Sequence, residues 1–207
     1  MQVDGSADVR RDYHQAVADG EYGRACDAYA SLVRADTLDA ETVVGIVNAY
    51  LRTMARAVVD RGGIIDKFTG DGLMAIFGAM GDPSQDDPSH GAAAATRAAL
   101  DIRRRLAALD SERIAAGEPV VRFGVGLHTG DVVLGAIGLP ERSDYTAIGD
   151  TVNTASRMET LTKEYKVDAV LSSATAGHLR DDGVALRSLG EAQVRGKSNA
   201  VEVFTLS

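Results

Sequence analysis

Ile64-Ile65-Asp66-Lys67-Phe68-Thr69-Gly70-Asp71-Gly72-Leu73-Met74-Ala75-Ile76-Phe77-Gly78 decides how the rest of this chain is read. Two short runs rich in β-branched, aliphatic and aromatic residues flank a Gly-Asp-Gly. Glycine reaches positive φ at no steric cost, so the pattern predicts a β-hairpin with a tight turn. The turn lifts the Asp71 carboxylate clear of the strands, between two residues that have no side chains. A carboxylate presented in this way suits a hard cation such as Mg²⁺, which takes oxygen ligands and keeps several waters. In isolation the motif reads more simply as a turn-former. The residues further along the chain decide between the two.

Composition narrows the class. The chain has 207 residues, enough for one domain plus an extension. It is 45% hydrophobic and 25% charged, the balance of a globular protein with a sizeable core. A formal net charge of -8 argues against a nucleic-acid partner, which requires a basic patch. A polyphosphate ligand then has to arrive with a metal or meet a locally basic pocket. The single cysteine, Cys26, allows no intramolecular disulfide and suits a reducing compartment. No apolar run approaches membrane-spanning length. Met1-Gln2-Val3-Asp4-Gly5-Ser6 has no basic stretch followed by an apolar one. The expectation is a cytoplasmic protein with no membrane association.

Periodicity supplies the elements. Residues 1–20 read as a tail or helix, and 21–207 as one domain. Apolar spacing between Asp8 and Ala35 favours helix, with a strand as the alternative for its second half. Asp39 is placed as the N-cap of a helix whose apolar stripe comprises Val43, Val44, Val47, Tyr50, Leu51, Met54, Ala55 and Val58, ending at Gly62-Gly63. A second long helix is predicted from about His90 to Ala115. Val120–Gly126 and Val132–Ile137 are predicted to pair as strands, followed by a polar excursion over Leu139–Asp144. A helix from about Thr151 to Tyr165, a strand over Asp168–Ser172 with a short helix after it, and a closing strand pair, Ala185–Val194 with Ala200–Leu206, complete the pattern. Hairpins interrupt the βαβ rhythm, which favours an α+β layered fold over a doubly wound parallel sheet.

Three motifs in this order carry a resemblance: Asp66-Lys67-Phe68-Thr69-Gly70-Asp71-Gly72, Phe123-Gly124-Val125-Gly126-Leu127-His128-Thr129-Gly130, and Tyr145-Thr146-Ala147-Ile148-Gly149-Asp150-Thr151-Val152-Asn153-Thr154-Ala155-Ser156-Arg157. With the closing Arg195-Gly196-Lys197, the chain from Asp39 onward resembles the class III adenylate/guanylate cyclase catalytic domain. The resemblance implies a ferredoxin-like βααββαβ core with extra C-terminal strands and a helical or irregular N-terminal segment. It also implies a head-to-tail homodimer with composite sites. The implied reaction converts ATP to 3′,5′-cyclic AMP and pyrophosphate, with two Mg²⁺ or Mn²⁺ ions per site.

Residue by residue, the resemblance makes Asp71 one of two metal-binding aspartates. Asp27 stands at the family's separation for the other. Its surroundings depart from the family pattern: Tyr22-Gly23-Arg24-Ala25-Cys26 is a poor strand, and Asp27-Ala28-Tyr29-Ala30 lacks the usual glycine. Asp27 therefore reads either as a metal ligand or as an exposed residue on an amphipathic helix. Asn153 and Arg157, four apart, share one helix face and match the positions that orient the ribose and stabilise the pentavalent transition state. Lys67 and Thr146 match the base-reading pair. Lysine donates to adenine N1, and a threonine hydroxyl can accept from the exocyclic amine, so the pair points to ATP. Arg195 stands where a triphosphate-contacting lysine is usual. His128 reads as a satisfied polar group, and Asp150 as a cap for the helix holding Asn153. The alternative for the whole chain is a catalytically impaired cyclase-homology module that acts in regulation or dimerisation.

Overall fold

The structure is a computed structural model that describes residues 39–79, 88–139, 142–179, 183–193 and 200–207. The contacts of the chain divide it into two compact units. The first contains described residues 39–54 and 104–123, and the second residues 55–103 and 124–207.

Helix α1 (Ala40–Asp60) starts at Asp39, as the sequence predicts. The Asp39 carboxylate accepts from the Thr42 backbone N–H at 2.7 Å and from the Thr42 hydroxyl at 3.0 Å. Those bonds satisfy an orphan N–H of the first turn and hold the Asp39 carboxyl below its ordinary pKa. The buried stripe differs from the predicted one. Ile46, Tyr50, Leu51, Ala57 and Val58 are buried, whereas Val44 is 57% exposed. Val44 stands about 200° around the helix from Ile46, at 3.6 residues per turn, so both cannot face the same core.

In the first unit, the Tyr50 hydroxyl donates to Asp110 on helix α2 (Pro88–Ala115) and accepts from the Val121 N–H at 3.0 Å. Arg113 donates to the Pro119 carbonyl at 2.6 Å and pairs with Glu118 at 3.1 Å, tying down the turn that leaves α2. Burial pushes the Tyr50 phenol and the Asp110 carboxyl above their ordinary pKa values.

In the second unit, α1 closes with a Schellman motif. Gly62, at φ +77°, donates to Val59 O, and Gly63 donates to Val58 O, both at 3.0 Å. Strands β1 (Ile64–Thr69) and β2 (Gly72–Ile76) then form the predicted antiparallel hairpin. Thr69 opposes Gly72, leaving Gly70 and Asp71 as a two-residue turn in which Gly70 takes φ +69°. Ile65 opposes Ala75 but Lys67 opposes Met74, so a β-bulge falls at Asp66.

The main sheet of this unit has the order β3-β6-β8-β7, comprising β3 (Val125–Leu127), β6 (Ala169–Ser172), β8 (Val201–Leu206) and β7 (Leu186–Ala192). The antiparallel β7–β8 pair is as predicted. The predicted pairing of the strands on either side of His128 is corrected. Here β3 runs parallel to β6, and β4 (Val133–Leu139) pairs instead with β5 (Arg142–Ile148). The polar residues taken for an excursion belong largely to this second hairpin. Ser143 and Asp144 are exposed strand residues, and polarity there marks a solvated face rather than a loop.

Helix α3 (Asp150–Tyr165) lies against β3 and β6, and the short α4 (Ser173–Ala176) follows β6. Alternate residues of β6 serve two clusters. Ala169 and Leu171 pack with Ala92, Ala93 and Ala99 of α2, while Val170 packs with Met158 and Leu161 of α3. Arg103 locks the sheet's edge to α2 by bonds to Asp168 at 2.5 Å and to the Leu206 carbonyl at 3.1 Å. The arrangement is the α+β layering expected from the sequence.

Candidate active site

All the candidate residues that the structure describes belong to the second unit. Asp71 sits exposed at the tip of the β1–β2 turn, with no hydrogen bond or ion pair to any described residue. Its unencumbered oxygens fit a hard divalent cation that keeps waters in its shell. Among the described residues no three His, Cys, Asp or Glu side chains gather into a metal cage. Asp27, its expected companion, and Arg195 both lie outside the described residues.

Lys67 on β1 and Thr146 on β5 are brought together by Asp66, a residue without a role in the sequence analysis. The Asp66 carboxylate, only 2% exposed, accepts from the Thr146 hydroxyl at 2.7 Å and from the Ala147 N–H at 3.3 Å. The Lys67 ammonium stands 3.4 Å from the same carboxylate and remains 45% exposed. The bulge makes this geometry available. Successive residues of a regular strand point to opposite faces, but the extra residue of a bulge breaks that alternation. The available signal is a carboxylate that follows two isoleucines within a strand.

Opposite Thr146 in the β4–β5 ladder stands Gly135, where an added Cβ would meet nothing within 4 Å among the described residues. The backbone beside Thr146 therefore opens onto free space. Beyond it, Ala147, Ile148, Gly149, Val152 and Asn153 line an open cleft of about 460 Å³. Asn153 is exposed on the first turns of α3. Arg157 follows one turn later. Its Nη1 is buried without a hydrogen-bond partner among the described residues, and the Asp150 carboxylate lies 3.9 Å from it. An unpartnered guanidinium N–H is a costly feature that a phosphate oxygen satisfies well.

The expectation that Asp150 caps α3 is corrected. Gly149 is the N-cap, at φ +148°, and Asp150 is the first helical residue. Its carboxylate still favours the positive end of the helix dipole. His128 is a satisfied polar group, as expected, with Nδ1 2.7 Å from the Ser172 hydroxyl. The glycines of the Phe123-Gly124-Val125-Gly126 motif explain how α3 comes so close. A Cβ at Gly126 would stand 2.2 Å from the Ala155 carbonyl and 2.3 Å from the Glu159 nitrogen.

The chain matches the family model of the adenylate and guanylate cyclase catalytic domain over residues 26–207. It is 37% identical to adenylate cyclase 1 of Rhizobium meliloti over 164 residues, which are 79% of this chain and 24% of that protein. It is 32% identical to an adenylate cyclase of Anabaena cylindrica, over 86% of this chain and 35% of the relative. The chain thus spans a quarter to about a third of these relatives. The fold is similar to that of the adenylyl cyclase CyaB from P. aeruginosa, with TM-score 0.73 and 30% identity, covering 84% of this chain and 86% of that one. It is also similar to the guanylyl cyclase Cya2, with TM-score 0.69 and 28% identity, covering 83% of each chain. This chain belongs to the class III adenylate and guanylate cyclase catalytic domain family.

Proposed function

We propose that residues 21–207 form an adenylate cyclase domain that converts ATP to 3′,5′-cyclic AMP and pyrophosphate at composite sites of a homodimer, with residues 1–20 a tail or helix outside it. The observation that carries the reading is the pairing of Lys67 and Thr146 around one buried carboxylate, beside the cleft on which Asn153 lies. An ammonium and a hydroxyl acceptor complement the N1 and N6 edge of adenine. In the reaction a bond forms between the ribose 3′-oxygen and the α-phosphorus. The bond from that phosphorus to the bridging oxygen breaks, and the 3′-hydroxyl proton leaves to solvent. Asn153 orients the ribose. Arg157 offers its unpaired N–H to the phosphate oxygens as charge builds on them, and Arg195 contacts the triphosphate. Asp71 and Asp27 would hold Mg²⁺ or Mn²⁺, two ions per site, and the ions would supply Lewis-acid stabilisation of the 3′-oxygen and of the charge on the phosphates.

A partner copy is supported by the β4–β5 hairpin, on which Val133, Leu139 and Tyr145 are each about 70% exposed. A cytoplasmic setting is supported by the single Cys26, and no helix among the described residues is long and apolar enough to cross a membrane. The test is incubation of the purified chain with MnATP and measurement of cyclic AMP. The expected result is product from the parent and a loss of at least about 100-fold in Asp71→Ala. No product at micromolar enzyme, with Asp71→Ala matching the parent, leaves the regulatory or dimerising module instead. The departure of the Asp27 segment from the family's strand and turn is the feature that favours that alternative.

A further inference from the structure

The Asp66 carboxylate is almost fully withdrawn from solvent, and it joins β1 to β5 through the Ala147 N–H and the Thr146 hydroxyl. It sits at a bulge, and its side-chain partners are the two read above as facing the base. A buried carboxylate is costly unless its oxygens are satisfied by donors, and here the donors are the Thr146 hydroxyl, the Ala147 N–H and the Lys67 ammonium. A threonine hydroxyl has one proton and two lone pairs. With its proton given to Asp66, Thr146 can only accept from anything on its other side. Adenine offers an amino donor at the six position, whereas guanine offers a carbonyl acceptor there. We propose that Asp66 is the positioning residue that makes this site choose adenine over guanine, by fixing the Thr146 hydroxyl as an acceptor while tethering the Lys67 ammonium beside it. The proposal rests on the reading of Lys67 and Thr146 as base contacts, and deepens it by naming what sets their polarity.

Asparagine at this position keeps the shape but can turn its amide toward Thr146. It then donates, the threonine proton is released, and the hydroxyl becomes able to donate to a guanine carbonyl. Alanine removes the constraint altogether. The test measures ATP and GTP binding to the purified chain, by competition against a fluorescent nucleotide, for the parent, Asp66→Asn, Asp66→Ala and Thr146→Val, together with KM and kcat for both nucleotides. The expected result is a drop of roughly tenfold in the ATP:GTP affinity ratio in both Asp66 variants, carried by KM rather than kcat. ATP and GTP weakened alike, with the ratio unchanged, assigns Asp66 a merely structural role and overturns the proposal. A ratio that moves in Thr146→Val but in neither Asp66 variant overturns it while leaving the base reading intact. A parent without ATP preference, or a Thr146→Val ratio equal to the parent's, overturns the base reading itself.

Discussion

Replacing Gly126 by alanine tests whether the close approach of α3 to β3 is what positions Asn153 and Arg157. The new methyl would lie 2.2 Å from the Ala155 carbonyl oxygen and 2.3 Å from the Glu159 nitrogen, both backbone atoms of the helix. Ordinary contact begins at 3.4 Å, so roughly 1.2 Å of separation has to be found between strand and helix. Backbone cannot swing aside as a flexible side chain does. Overpacking of this kind costs about 1–3 kcal/mol. The obstructing residues also lie on the helix turns that carry Asn153 and Arg157, so a displaced helix displaces both. A shift of ~1 Å at a reacting centre costs about 100-fold in rate. The assay pairs urea unfolding with cyclic AMP formation from MnATP, using Gly45→Ala as the control. Gly45 is exposed on α1 with nothing within 4 Å of an added Cβ among the described residues. Alanine there is expected to be neutral or to stabilise by about 0.5–1 kcal/mol. Gly126→Ala unfolding within about 0.5 kcal/mol of the parent refutes the packing argument. Loss of stability with unchanged product formation refutes the link from packing to catalysis.

Two further predictions concern the first unit. Tyr50→Phe removes the donor to Asp110 and the acceptor for the Val121 N–H, both at a site where Tyr50 is 3% exposed. Urea unfolding is expected to show a loss of about 1–3 kcal/mol, and a change near zero would show that water replaces both bonds. Asp110 is pushed above the ordinary carboxyl value of 3.8 by burial, against the opposing effects of the Tyr50 bond and of Arg122 and Arg113. The folded state therefore binds this proton more tightly than the unfolded state. The resulting stability is complete below pH 3.8 and is lost as pH rises through the folded value. Asp110→Asn, which can still accept from Tyr50, should match the parent in acid and gain on it as pH rises from 4 toward 7 in a series of urea titrations. A gap independent of pH would contradict the direction of the shift.

Local pattern exposed much of this fold. The Gly-Asp-Gly hairpin, the Asp39 cap, the Gly62-Gly63 stop and the closing β7–β8 pair are all decided by residues within a few positions of each other, where turn and cap chemistry act. Pairing over longer separations was not legible. Val125–Leu127 has the composition of a hairpin strand, but its partner is set by the burial of β6 and by the glycines beneath α3, which no local window contains. The candidate site divides in the same way. The helical spacing of Asn153 and Arg157 could be read directly. The role of Asp66 could not, because its partner Thr146 is 80 residues away and only the folded bulge joins them.

Places where the chain breaks an ordinary rule gather at the candidate site. A bulge interrupts β1 at Asp66, and glycine occupies the middle of β3 at Gly126. The N-cap of α3 is a glycine with no side-chain bond, and a buried guanidinium N–H on Arg157 has no hydrogen-bond partner among the described residues. Each departure costs stability relative to a regular strand, a capped helix or a satisfied cation. Each also accomplishes something at this site. The bulge turns Asp66 toward Thr146, and the glycine lets α3 approach. The bare cap, Gly149, lines the cleft, and the Arg157 N–H, with no hydrogen-bond partner among the described residues, is a strong donor for an anion. Sequences tend to be locally consistent except where function demands otherwise, and here the departures fall on β1, β3 and α3, with Gly149 lining the 460 Å³ cleft. A buried guanidinium N–H with no hydrogen-bond partner among the described residues, on the helix whose first turns carry Asn153, favours an anion-binding role over a purely dimerising one.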